Sequence, residues 1–329
     1  ASIVVSLGYR TVSFGTIVAF NAYLMMFFEP ISALAQRYTL LQSAMAGAER
    51  VFGLLDLADE ADAPARTDAA PPLSSGSAFS FEHVTFEYKP GVPVLNDVSF
   101  SVKRGEKVAV VGPTGAGKTT LASLLLRLYD VNAGIVRVGG ADVRGEAREA
   151  LRKTFAVVPQ DVFLFPGTIM SNVAVGDKEP DRARVEAALR RIDAYDLFMR
   201  RPKGLDARVD ERGDNFSAGE RQLIAFARAL YRDAPIIVLD EATASVDSDT
   251  ESRIQRALDE LMKGRTALII AHRLSTVRAA DRILVFQRGR LVEQGSHQEL
   301  LRTGGLYSKL HRLHFARQAD SIPAQASAE

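Results

Sequence analysis

The sequence predicts an α/β fold behind a long apolar helix, and three observations carry that prediction. Residues 12–28 (VSFGTIVAFNAYLMMFF) hold no charged side chain. Residues 108–128 read as a short apolar strand, a glycine-rich loop and a helix-spaced row of leucines. Residues 236–241 (IIVLDE) form a second apolar run that closes on two carboxylates. Buried parallel strands appear as such continuous apolar runs, and the helices between them cover both faces of the sheet.

Composition narrows the function. The chain has 329 residues, room for more than one domain, and no cysteine, which removes disulfides, thiolate zinc sites and a cysteine nucleophile. Its 41 basic and 40 acidic residues leave a net charge of +1, without the basic surplus that nucleic-acid binding uses. No nucleic-acid partner is expected.

Residues 12–28 sit at the lower limit for a bilayer span, and extension through Pro30 to Leu34 makes the stretch long enough. The opening ASIVVSLGY is a further apolar piece, too short to span. A signal peptide fits poorly, since no basic segment comes first and Glu29 and an amphipathic stretch follow. A buried helical hairpin of a soluble protein is the competing reading. The segment from Ile31 to Asp56 spaces Leu34, Tyr38, Leu41, Met45, Ala48, Phe52 and Leu55 three or four apart, a helix with a narrow apolar face. Residues 1–56 are therefore expected to be the end of a membrane domain, with a span at about 12–34. Residues 57–78, rich in Ala, Asp, Pro and Ser, read as a linker. A second domain follows over residues 79–317, and the polar tail 318–329 is expected to be disordered.

Phe81, His83 and Thr85 alternate with Glu82, Val84 and Phe86, and residues 98–102 alternate again, so strands open that domain. The run Val108, Ala109, Val110, Val111 leads into Gly112, Pro113, Thr114, Gly115, Ala116, Gly117, Lys118, Thr119 and Thr120, with Leu121, Leu124, Leu125 and Leu128 at helical spacing behind. This is the order of a Walker A phosphate loop. Glycines let successive N–H groups turn toward an anion at a helix N-terminus. Lys118 can reach the β- and γ-phosphates, and the Thr119 hydroxyl can ligate Mg²⁺. At the end of the second strand, Asp240 is placed to hold Mg²⁺ through water and Glu241 to act as general base. A structural glycine turn and an ordinary acidic strand end are the bland alternatives, and the pairing of the two motifs argues against both.

At these residues the chain resembles the C-terminal half of an ABC exporter of the multidrug or lipid type, a last membrane helix followed by a nucleotide-binding domain. Asn215 to Gln222 (NFSAGERQ) resembles the ABC signature. Gln160 matches the Q-loop, Asp247 the D-loop, His272 the H-loop, Tyr88 the aromatic A-loop residue and Glu211 the exporter X-loop. The resemblance implies a P-loop NTPase fold with a RecA-like core, an antiparallel β subdomain and a helical subdomain between residues 160 and 222.

The resemblance also implies the chemistry. ATP and Mg²⁺ are the expected cofactors. Tyr88, Gly112, Thr114, Gly115, Ala116, Gly117, Lys118, Thr119, Thr120, Gln160 and Asp247 would bind nucleotide, with Thr119, Gln160 and Asp240 around the metal. Glu241 and His272 would be catalytic. Ser217 and Gly219 would contact the nucleotide of a second half-transporter, identical or different. Membrane lipid and an unnamed exported substrate are the other partners, and a cell membrane with the ATPase in the cytoplasm is the expected location. A soluble ABC ATPase acting on DNA or ribosomes would share the nucleotide motifs but not residues 12–34, and a non-hydrolysing regulatory subunit would not need Glu241 and His272.

Taken alone, several of these residues have plainer readings: Tyr88 as a packed strand aromatic, Gln160 as a surface amide, Ser217 as a helix N-cap, and His83, His297, His311 and His314 as structural histidines. The signature departs from the usual pattern at Phe216, Ala218 and Glu220. Ala218 would be awkward at a position needing positive φ, and Glu220 adds negative charge. Retained but slower hydrolysis is expected.

Overall fold

The computed structural model describes residues 4–7, 10–57, 76–240, 248–271 and 274–319. The chain divides into two compact units, residues 1–61 and 62–329.

In the first unit, strands β1 (Val4–Leu7) and β2 (Arg10–Ser13) pair as an antiparallel hairpin with Val5 opposite Val12. The opening apolar piece is thus strand, in keeping with its β-branched residues, and the stretch read as span from position 12 starts two residues later. Helix α1 (Phe14–Leu55) is one element of 42 residues, about 63 Å at the α-helical rise. The Ser13 hydroxyl accepts from the Thr16 N–H at 3.2 Å and caps it. Pro30 lies inside the helix and leaves the Met26 carbonyl without its ladder donor. Its apolar side chains are exposed, Phe20, Phe27, Leu34 and Leu40 among them.

The second unit is built on two sheets. The antiparallel one runs β4 (Val92–Lys103), β3 (Ser77–Lys89), β6 (Ala133–Val138), β7 (Ala141–Asp142). Strand β3 begins inside the stretch read as linker. In β4, Leu95, Val98, Phe100 and Val102 are buried, and from Val98 the strand alternates as expected. In β3 the expected alternation breaks, because Phe81, Val84 and Phe86 all face the core. The register slips between Phe81 and Val84, where His83 takes φ +50°, so one extra residue moves the apolar set from odd to even positions.

The larger sheet has the order β14 (Arg290–Gly295), β13 (Arg282–Gln287), β5 (Lys107–Val111), β12 (Thr266–Ile270), β11 (Ile236–Asp240), β8 (Phe155–Val158). Only the β13–β14 pair is antiparallel. The apolar runs that predicted strands at β5 and β11 are buried along their length, as is β12. Helix α2 (Lys118–Leu125) follows β5. It ends earlier than the leucine spacing suggested: Arg127 turns left-handed at φ +49°, and Leu128 lies beyond the helix, half exposed.

Helix α3 (Arg148–Lys153) precedes β8. Beyond β8 come the small β9 (Gly167–Thr168), α4 (Ile169–Val173), α5 (Arg182–Arg191), α6 (Tyr195–Met199) and β10 (Arg208–Val209), which pairs with β9. Helix α7 (Ala218–Arg232) packs on α4, α5 and β8, and on α8 (Ser248–Met262). Helices α9 (Leu274–Ala279), α10 (His297–Thr303) and α11 (Leu306–Ala319) complete the unit, with α11 running two residues into the stretch read as tail.

Candidate nucleotide-binding site

The phosphate loop leaves β5 at Val111 and re-enters helix at Lys118, at the C-terminal edge of the parallel strands. That edge is where open α/β sheets place ligands. Gly117 is the N-cap of α2 with φ +93°, and a Cβ there would lie 2.6 Å from Leu95 Cδ2 and 3.0 Å from the Val94 carbonyl. Glycine is required there by conformation and by space. The loop opens onto a cavity of about 350 Å³ lined by Thr114, Gly115, Gly117, Lys118, Thr119, Thr120 and Gln160, with Val94 as an added wall. Ala116 is buried beneath the loop, and Gly112, at φ +155°, sits against the Phe286 carbonyl. The loop's Thr114 and Gly115 to Thr120, and Gln160, are thereby brought together.

Lys118 is only 8% exposed, and its Nζ donates to the Gly112 and Pro113 carbonyls at 2.8 and 3.0 Å. Burial holds the ammonium below the ordinary lysine value, while the charge of Asp240 opposes that shift. An anionic ligand in the cavity would compensate the buried cation. Asp240 ends β11, one strand removed from β5 across β12. The Thr119 hydroxyl bridges that gap, donating to Asp240 Oδ2 at 3.4 Å. Hydroxyl, carboxylate and the nearby Gln160 amide form an oxygen-donor set that suits a hard cation keeping several waters. Among the described residues no cluster of three His, Asp or Glu side chains could hold a metal alone, so phosphate oxygens would have to complete such a shell.

Tyr88, near the end of β3, is 48% exposed. Its hydroxyl donates to Thr120 Oγ1 at 3.2 Å, and its ring meets Phe86 and Tyr129 at near right angles, with centroids 4.8 and 5.0 Å away. The plain reading of Tyr88 as a packed aromatic and its reading as a ligand platform are both compatible with this geometry.

Ser217 and Gly219 lie at the N-terminus of α7 and are not in the lining of this cavity. Ser217 is the N-cap of a reciprocal capping box: its hydroxyl accepts from the Glu220 N–H at 3.2 Å, and Glu220 accepts from the Ser217 N–H at 2.8 Å. Ala218 is inside the helix and is not among the positive-φ residues, which removes the backbone argument against it. The Glu220 charge is met by Arg201 at 2.8 Å. Burial pushes that carboxyl up, yet the Arg201 guanidinium and the Ser217 N–H together hold it below the usual carboxylate range. Arg201 also lies over the Phe216 ring at 4.0 Å. Two departures from the usual signature therefore share one partner.

Residues 95–244 match the ABC transporter family. The ATP-dependent lipid A-core flippase of Burkholderia pseudomallei (strain 1710b) is 46% identical over 308 residues, 93% of this chain and 51% of the relative. A putative ABC transporter ATP-binding protein of Streptococcus pneumoniae serotype 4 is 41% identical over 96% of the chain and 54% of its own length. A bacterial Atm1-family ABC exporter with ATP bound superposes with a TM-score of 0.73 at 39% identity, covering 96% of this chain and 53% of that one. The chain carries an ABC transporter ATPase domain. It spans about half the length of the curated relatives it matches.

An ABC transporter ATPase domain binds ATP, and the cavity over the phosphate loop has the donors for a triphosphate. Glu241, Asp247 and His272 lie outside the described residues, although Asp240 ends β11 and Ala271, beside His272, directly follows the adjacent strand β12. Glu211 opens a short turn at Glu211–Gly213 ahead of the signature. Sequence reading missed Tyr129, Val94 and Arg201, since none belongs to a motif. It also missed Asn172, fully buried, whose amide exchanges bonds of 2.8 Å with both the N–H and the carbonyl of Phe165 and so pins the segment that follows Gln160.

Proposed function

We propose that this chain is the ATP-hydrolysing portion of an ABC exporter in a cell membrane. In this reading α1 crosses the bilayer and the second unit works in the cytoplasm. The observation that carries it is the convergence of Lys118, Thr119 and Asp240 at one sheet edge, in a chain whose apolar helix and ATPase domain align together with exporter relatives. The exposed apolar length of α1 disfavours the soluble alternative.

Phosphoryl transfer asks the protein for positioning and charge neutralisation. The loop amides from Gly115 to Thr119 and the Lys118 ammonium would hold the phosphates, and Tyr88 the adenine. Thr119, Gln160 and Asp240 would hold Mg²⁺, whose charge would screen the phosphate oxygens. Glu241 would accept a proton from the attacking water and His272 would contact the γ-phosphate. Asp247 would join the nucleotide-binding residues, and Ser217 and Gly219 would complete the site of a second half-transporter, because the N-terminus of α7 presents first-turn amides to an anion. ATP would favour the closed pair and hydrolysis would release it, moving the membrane helices. Lipid would surround α1, and the cargo would be an exported substrate.

The test uses the full-length protein in vesicles. Lys118→Ala should abolish ATP binding, and Glu241→Gln should retain binding while cutting turnover by about 10²-fold or more. Undiminished ATP consumption by the Lys118 variant would sink the proposal.

A further inference from the structure

We infer that Tyr129 and Thr120 are positioning residues for Tyr88, so that both ends of helix α2 address the same nucleotide, phosphates at one end and base at the other. The inference rests on the ATP reading of Tyr88 given above. Lys118 and Thr119 open α2 at the phosphate loop. At the other end the helix closes in a Schellman turn: Arg127 sits left-handed at φ +49°, the Leu128 N–H donates to the Ser123 carbonyl at 2.8 Å, and the Arg127 N–H to Leu124 at 3.0 Å. A left-handed arginine is costly unless held, and this one is held. Its guanidinium is buried, donating to the Glu146 carbonyl at 2.9 Å and pairing with Asp130 at 3.1 Å.

The turn delivers Tyr129 to the platform. Its ring lies 5.0 Å from Tyr88 at an interplanar angle of 87° and 5.8 Å from Phe86. The chain just beyond is stitched to β3 on both sides of Phe86: the Asn132 N–H donates to the Thr85 carbonyl at 3.1 Å, and Asn132 Oδ1 accepts from the Glu87 N–H at 2.9 Å. Tyr88 is thereby fixed at three points, its ring by Phe86 and Tyr129 and its hydroxyl by Thr120. A stacking platform gains affinity from a ring already at the right tilt, because less freedom is lost on binding. Loss of Tyr129 would release the ring without touching the phosphate loop.

The measurement is steady-state ATPase of the full-length protein, with tripolyphosphate as a competitor that lacks a base. Tyr129→Ala should raise KM for ATP about two- to tenfold, the worth of one aromatic pair, with kcat within about twofold. Tripolyphosphate inhibition should be unchanged, and Tyr129→Phe should restore the parent KM. Tyr129→Leu, with its thermal midpoint recorded, repeats the test should the alanine protein fail to fold. If Tyr88→Ala raises KM while the Tyr129 variants leave it alone, the positioning role is wrong and the ATP reading stands. If Tyr88→Ala has no effect either, both readings fall at that residue. A parallel loss of kcat and KM that phenylalanine does not rescue would make Tyr129 merely structural and overturn the inference.

Discussion

Glycine at 115 and glycine at 117 look alike in the loop sequence, but the fold gives them different burdens. Both take positive φ, +78° and +93°, yet a Cβ at 115 would meet open space whereas one at 117 would press on Leu95, a fully buried side chain. Gly115→Ala should therefore cost only the left-handed backbone, about 1–2 kcal/mol. Gly117→Ala should add an overpacking cost of about 1–3 kcal/mol. Denaturant unfolding of the two variants compares them, and equal midpoints would show that Leu95 yields freely. The need for glycine was readable from the motif; the reason at 117 was not, since Leu95 comes from another strand.

Helix α7 shows how much of an element a sequence can hold. Its N-cap serine, the glutamate three residues on and the buried stripe through Leu223, Ile224 and Ala227 all follow from local rules. Its anchor does not. Arg201, from the segment after α6, stacks on Phe216 and pairs with Glu220, both pairing side chains being partly buried. Arg201→Ala should cost about 1–2 kcal/mol by stranding the carboxylate and uncovering the ring. The variant's thermal midpoint should fall, and Glu220→Ala made on top of it should add less than it does in the parent. Full additivity would refute the shared anchor. Strand β3 is the converse case: composition marked a strand, but the bulge at His83 reversed its faces, and no local signal announces where a ladder slips.

Across the ATPase unit as a whole, acid sensitivity should enter through the C-terminal helices. His297 Nδ1 lies 2.6 Å from the Tyr307 hydroxyl, with the His311 ring beside it. Burial first, then the charges of His311 and Arg278, hold His297 below the ordinary histidine value of 6.5. Burial pushes the Tyr307 phenol up to about 12, so it stays neutral. The folded state thus prefers a neutral His297, the unfolded chain takes up the proton first, and stability falls as pH drops below about 6.5. Thermal midpoints measured across that range should show the decline, and His297→Gln should flatten it. An unaltered slope in that variant would place the acid response elsewhere. The parallel order of β5, β12 and β11 explains why the core was the readable part: buried on both faces, each strand declares itself as an apolar run, while turns and ion pairs depend on partners distant in sequence.

The half-open tyrosine pair at positions 88 and 129 has a practical corollary, because the chain contains no tryptophan. An indole introduced at 129 would be the sole such fluorophore in this segment, set against the ring assigned to adenine. Its emission would change when the base docks and stay constant when only inorganic phosphates bind, a spectroscopic readout of occupancy that needs no turnover.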